Sequence, residues 1–272
     1  MGWLLAALAV WGLGLAAIRL AAARAGAHAT WLVPLVFGAV ALFLWQAAVR
    51  GFHVPGALLP APSDVALVFA DPAKRATLWG DFVQTVLKGA LSGWLIGCGA
   101  ALAVAVLVDR SDFLTRGLLP VGNFVAALPV IGVAPILVMW FGFGWESKAA
   151  VVVAMVFFPV LVNAVAGLKS ADHMQRDLMR TYAANSWVTL WKLRIPAAMP
   201  FVFNGLKIAA TLALIGAIVA EYFGGPTFGL GFRISTEVGR MGMDTVWAVI
   251  AVAALSGSVF YGLVALIERR HL

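Results

Sequence analysis

Charge is what this chain has least of. Asp and Glu number 12 and Lys and Arg 19 among 272 residues, so 11% of the chain is charged against 63% hydrophobic. A water-soluble fold of that length does not cover its outside with so little polar material. Cysteine is nearly missing as well: Cys98 stands alone, which excludes an intramolecular disulfide. No GxxxxGK[ST] stretch occurs, so nucleotide phosphates are not cradled by that route. No HExxH, CxxC or paired-His motif offers metal ligands, and His28, His53, His173 and His271 are scattered. Nothing sets a nucleophile beside a base. These absences argue against an enzyme and against a metal or cofactor held by this chain.

What is present is apolar length. Residues 1–18, 31–49, 89–108, 117–145, 149–168 and 245–267 contain no Asp, Glu, Lys or Arg, and mean hydropathy is +0.98. About 20 residues at 1.5 Å rise cross the hydrocarbon core, so each of these reads as a transmembrane helix. Residues 201–220 carry Lys207 alone. A mid-membrane lysine costs about 2.5–3.5 kcal/mol, and each Leu, Ile, Phe or Val returns about 0.3–0.6. Ten such residues in this stretch keep it level, and the lysine stem can snorkel to the interface. The expectation is a polytopic all-α membrane protein.

Between the 149–168 and 201–220 spans lies a polar interval, KSADHMQRDLMRTYAANSWVTLWKLRIPAAMP, from Lys169 to Pro200. Leu178, Tyr182 and Leu190 stand four or eight apart, with Met179, Ala183, Trp187 and Trp191 one step along. That spacing predicts one or two short amphipathic helices at the membrane surface, read as a docking surface for another protein. The net charge of +7 in a soluble chain would suggest nucleic acid. Here its distribution matters more. With the 169–200 interval cytoplasmic, alternation puts eleven of the nineteen Lys and Arg on that side and six on the other. The positive-inside bias favours this orientation, with a cytoplasmic C-terminus.

Residues 1–22 have arginines after their apolar run and not before it, the reverse of a signal peptide, so they read as an extra transmembrane helix. Pro55, Pro60, Pro62 and Pro72 forbid a long helix over 51–80, leaving a short helix that begins near Ser63, with its hydroxyl as cap. Gly89, Gly93, Gly97 and Ala101 recur every fourth residue and form a ridge for close helix packing, within the subunit or between subunits. Pro120, Pro129 and Pro135 require a kink within a 117–145 span or a start in the interface. Asn123, Asn163 and Asn204 lie in spans; they are candidates for a translocation path, or for helix–helix hydrogen bonds. Asp81 and Glu221 sit at span ends and make no buried acid chain of the kind a proton-driven pump uses. Glu221 joins the path candidates. After it, GGPTFGLGF from Gly224 reads as a gate, a tight turn or a loose surface loop.

Residues 177–200 (DLMRTYAANSWVTLWKLRIPAAMP) resemble the EAA loop of binding-protein-dependent ABC importer permeases. LPAPSDV (59–65), PVIGVAPILVMWFGFG (129–144), FFPVLVNAVAG (157–167), AEYFGG and GLGF (220–232) resemble the nitrate/sulfonate/taurine branch. The likeness covers nearly the whole chain from about residue 31. Asp177 stands at that family's Glu, Leu178 and Met179 at its two Ala, and Ala183 at its Gly; Trp187, Pro196 and Pro200 agree with the pattern. With Gly absent at 183, the turn between the two short helices is expected at Asn185, which tolerates left-handed geometry.

The resemblance implies a six-helix type I importer core over 25–272, with residues 1–24 as an added N-terminal helix and 169–200 as the coupling loop. It implies a homodimer in the bacterial inner membrane, surrounded by lipid, moving a solute brought by an extracytoplasmic binding protein. Cytoplasmic ABC ATPase subunits hold the ATP and Mg. Coupling falls to Asp177, Arg180, Tyr182, Ala183, Asn185 and Trp187, with Asp177 and Arg180 setting register. The solute is a sulfonate, nitrate or a pyrimidine or vitamin precursor. The competing class is an ion-gradient-driven secondary transporter, which calls for inverted repeats that this sequence does not display.

Overall fold

A computed structural model describes residues 29–126, 129–224 and 228–271, together with Trp11, Gly12, Gly14 and Arg19. The described residues are helical and connected by short turns, with no strand among them. Five stretches are long and apolar enough to cross a membrane: Leu32–Gly51, Pro72–Asp109, Trp145–Lys169, Ser186–Phe223 and Met243–His271. The chain is a multi-span all-α membrane protein. The N-terminal helix expected over 1–24 lies outside the described residues apart from the four named.

In chain order the helices are α1 (Ala29–Gly51), α2 (Pro62–Ala70), α3 (Pro72–Phe82), α4 (Leu91–Asp109), α5 (Asp112–Ala126), α6 (Val130–Phe141), α7 (Trp145–Lys169), α8 (His173–Thr181), α9 (Ser186–Thr189), α10 (Ile195–Gly224), α11 (Leu230–Gly239) and α12 (Met243–His271). Two widened π segments, Val83–Ala90 and Leu190–Arg194, join α3 to α4 and α9 to α10. The prolines of 51–80 thus allow more helix than expected, because Pro62 and Pro72 each open a helix, where a missing N–H costs nothing. Ser63 is not a cap. Its hydroxyl accepts from Gln46 and Arg50 at 3.1 Å, while the Asp64 carboxylate accepts the Ala61 N–H at 3.3 Å.

The 117–145 stretch is two helices and not one kinked span. Pro129, extended at ψ 106°, begins α6, and Gly142 at φ 79° ends it.

The chain divides into two compact units, residues 1–77 with 236–250 and residues 78–235 with 251–272. In the first, Arg50 meets Asp64 at 2.5 Å, Lys74 meets Asp244 at 3.0 Å, and the Trp45 and Trp247 rings lie 4.7 Å apart.

The second unit is built around α7, which packs against both α4 and α10. Its core joins Cys98, Ala101 and Ala105 of α4, Val152, Val156 and Val160 of α7, and Ala209, Ala213 and Ala217 of α10. Small residues let the backbones close in: a Cβ built on Gly93 would stand 2.5 Å from Val152 Cβ, and one on Gly97 2.5 Å from Val156 Cγ2. On α10, Gly205 and Gly216 do the same for Asn163 and Met155. In lipid, where apolar burial gives no advantage between helices, this close van der Waals fit holds the bundle. Lys207 is paired, with Nζ 2.7 Å from Glu268 Oε2 near the end of α12.

Candidate functional site

The 169–200 interval forms a helical hairpin whose local chemistry is written in its sequence. Asp172 is the N-cap of α8: its carboxylate accepts the His173 N–H at 2.6 Å, and Gln175 returns by accepting the Asp172 N–H at 3.1 Å. At the other end Ala184 N–H reaches the Met179 carbonyl at 3.0 Å and Ala183 N–H the Arg180 carbonyl at 2.8 Å. This is a Schellman closure, and it puts Ala183 in the left-handed region at φ 48°.

The turn is therefore not displaced to Asn185. Asn185 is extended at φ −72°, ψ 170°, and is the N-cap of α9, its side chain accepting the Val188 N–H at 2.8 Å. The six-residue closure fixes which position must turn left-handed, and it overrides the residue preference.

No residue of α8 is buried. Met174, Leu178 and Tyr182 stand four apart on one face and are 77%, 56% and 76% exposed. Trp187 and Trp191 are exposed as well, and the Arg110 guanidinium lies 3.8 Å over the Trp187 ring. Leu190, expected on the same face as Leu178, is instead buried in the bundle core and roots the loop. Asp177 receives His173 at 2.8 Å and Arg180 at 3.3 Å along the helix surface. Arg194 fastens the loop's second end, with Nη2 2.5 Å from Asp109 Oδ1 and Nε donating to the Leu168 carbonyl at 3.0 Å.

The asparagines bond to each other. Asn204 donates to Asn163 at 3.1 Å, and Asn163 donates to the Pro159 carbonyl at 2.8 Å, so the pair joins α10 to α7. Asn123 lies on α5, its side chain outside what is described.

Asp81 and Glu221 are not span-end surface groups. They are 1% and 0% exposed and belong to a buried polar cluster. Lys148 Nζ, equally sealed, stands 2.9 Å from Glu221 Oε1 and off its hydrogen-bonding direction, so the contact is chiefly coulombic. Thr85, on the π segment, donates to Glu221 at 2.6 Å. Asp81 holds Arg233 at 2.8 Å.

The first three N–H groups entering α11 find acceptors here: Gly229 on Asp81 at 2.9 Å, Leu230 on Thr85 at 2.7 Å, Gly231 on Glu221 at 3.0 Å. Glycine is required at two of them. Gly229 has φ 127°, and a Cβ on Gly231 would collide with the Ile218 carbonyl. So the backbone of residues 229–231 is pinned rather than loose, while residues 225–227 lie outside the described ones. Sequence reasoning put Asp81 and Glu221 at span ends and did not bring Lys148 and Arg233 to them. The signal available was that a chain so poor in charge keeps two acids and two bases near span ends.

The family model described as "Binding-protein-dependent transport system inner membrane component" matches residues 93–271. The chain belongs to that family. It is an ABC transporter permease, and the hairpin falls within the matched residues, as do Lys148, Glu221 and Arg233 of the buried cluster, while Asp81 and Thr85 precede them. The permease is 34% identical over 221 residues to the "Probable ABC transporter permease protein" of Haemophilus influenzae, covering 81% of this chain and 89% of the relative. It is 32% identical over 228 residues to the riboflavin transport system permease protein RibX of Chloroflexus aurantiacus, covering 84% of each. To the putative aliphatic sulfonates transport permease protein SsuC of Bacillus subtilis it is 28% identical over 243 residues, covering 89% of this chain and 87% of that one.

Proposed function

We propose that this permease is the membrane conduit of an ATP-driven importer and that the 169–200 hairpin is where the motor grips it. The observation that supports this most is the stripe of Met174, Leu178 and Tyr182, large side chains left exposed along α8 and its C-cap, a helix with no buried residue. Seating that stripe in a groove contributes about 25 cal/mol per Å² buried. The partner is a cytoplasmic ABC ATPase carrying ATP and Mg, since this chain offers no phosphate loop.

On this reading the hairpin and the C-terminus are cytoplasmic, two copies form the path across the bacterial inner membrane, and an external binding protein delivers the solute. ATP closes the ATPases, the hairpins move with them, and Arg194 on Asp109 and Leu190 in the core carry that motion into α4, α7 and α10. The solute is small and of the kind the relatives' names record, a sulfonate or a vitamin-type heterocycle. Uptake into whole cells, or into right-side-out vesicles with ATP inside, tests the energy source. Transport that stops when ATP is depleted with the proton gradient intact is the expected result. Transport that survives ATP depletion and collapses with the gradient contradicts it.

A further inference from the structure

We infer that the basic cleft on the inner side of α8 binds a phosphate oxyanion, supplied by the headgroup of an anionic phospholipid. The inference rests on the cytoplasmic placement of the hairpin proposed above. The cleft has a volume of about 700 Å³ and is lined by Lys169, Arg176, Arg180 and Arg194, with the Ser186 and Thr189 hydroxyls, against the single carboxylate of Asp109. That carboxylate is already occupied by Arg194 at 2.5 Å. Arg180 reaches Asp177 only at 3.3 Å, and Asp177 is shared with His173. Arg176 gives one Nη to the Lys169 carbonyl at 2.9 Å, while its Nε is sealed from solvent without a hydrogen-bond partner. Lys169 has no ion pair among the described residues. Lys169 and Arg176, which no carboxylate pairs among the described residues, lie beside Ser186 and Thr189 and match a phosphate, which accepts several charge-assisted bonds at once.

The position selects the source. At about 100° per residue, Arg176 and Arg180 lie on the face of α8 opposite Met174, Leu178 and Tyr182. The cleft therefore turns away from the groove-filling stripe and toward the ends of α4, α7 and α10, marked by Asp109, Lys169 and Arg194. Those ends are where spans leave the bilayer, the depth of lipid headgroups, and the cytoplasmic leaflet is the anionic one. A headgroup held there steadies the root of the hairpin while its outer face is free for the ATPase.

The full permease in detergent micelles is titrated with phosphatidylglycerol, phosphatidylcholine and inorganic phosphate, reading Tm and, by native mass spectrometry, lipid retained. Phosphatidylglycerol is expected to raise Tm and to be retained where phosphatidylcholine is not. R176Q/R180Q is expected to weaken that binding about tenfold, and R176K/R180K to recover most of it. The retained-lipid readout stands even if R176Q/R180Q lowers the basal Tm. Inorganic phosphate raising Tm where phosphatidylglycerol has no effect overturns the headgroup source. No response to either probe, or equal responses in wild type and R176Q/R180Q, overturns the site. Loss of ATPase co-purification in R176Q/R180Q with lipid retention unchanged also overturns it, because the cleft then meets an acidic group of the ATPase. Failure of the stripe to bind an ATPase would leave the lipid titration unaltered, so the two readings fail separately.

Discussion

Lys148 Nζ stands 2.9 Å from Glu221 Oε1 with both side chains sealed from solvent. A buried pair of this kind is weak evidence of net stabilisation, but losing one member strands the other. Each of Lys148→Met and Glu221→Gln should cost about 3–5 kcal/mol. Lys148→Met/Glu221→Gln should cost much less than the two singles combined, because no lone charge remains. Thermal unfolding of the purified variants measures this, and additive losses would show that the two charges do not depend on each other.

Ala183 is held at φ 48° by the closure of α8. A non-glycine residue in that region carries about 1–2 kcal/mol of strain. Ala183→Gly should therefore stabilise the hairpin by roughly 1 kcal/mol, and Ala183→Val should destabilise it. Protection of the loop from limited proteolysis reports the change. A less protected Ala183→Gly hairpin would contradict the left-handed turn.

Asn185 carries a separate function as a cap. Asn185→Ala should cost about 1 kcal/mol by freeing the Val188 N–H. Ser186→Pro should be tolerated, since position 186 is the first of its helix. The same proteolysis assay distinguishes them: equal damage from both would remove the cap from the account.

Gly97 and Gly99 are two residues apart and face different surroundings. A Cβ on Gly97 would press on Val156 Cγ2 and lie 3.2 Å from Val153 Cα, whereas a Cβ on Gly99 meets nothing within 4 Å. Gly97→Ala should cost about 1–3 kcal/mol. Gly99→Ala should be neutral or gain up to about 1 kcal/mol through helix propensity. Matching Tm changes would mean that α4 does not lie against α7 as described.

How much of this was open to reading in the sequence follows from the range of each interaction. Spans such as Trp145–Lys169 and Met243–His271 need only a run of apolar residues, and the α8 cap needs only Asp172 and Gln175 three positions apart. The prolines of 51–80 exclude one long helix, as expected, and a short helix begins beside Ser63, but the helix opened by Pro72 was missed because proline's cost depends on where the helix starts. Ala183 was misjudged since its φ is imposed by backbone bonds spanning six residues, which no single-residue preference reveals. The buried cluster was out of reach for another reason: Asp81 finds Arg233 across 152 positions, and Thr85 finds Glu221 across 136. Hydropathy along the chain contains no term for such pairing, so charged residues near span ends read as surface.

Most directly, the central claim rests on whether the exposed stripe grips a motor. The permease with Tyr182→Asp and Trp187→Asp is expressed beside its ABC ATPase and purified from membranes through a tag on the permease. With the variant folded and inserted, the account predicts that the ATPase is lost from the preparation and that solute uptake ceases. Full ATPase recovery with normal uptake would contradict it.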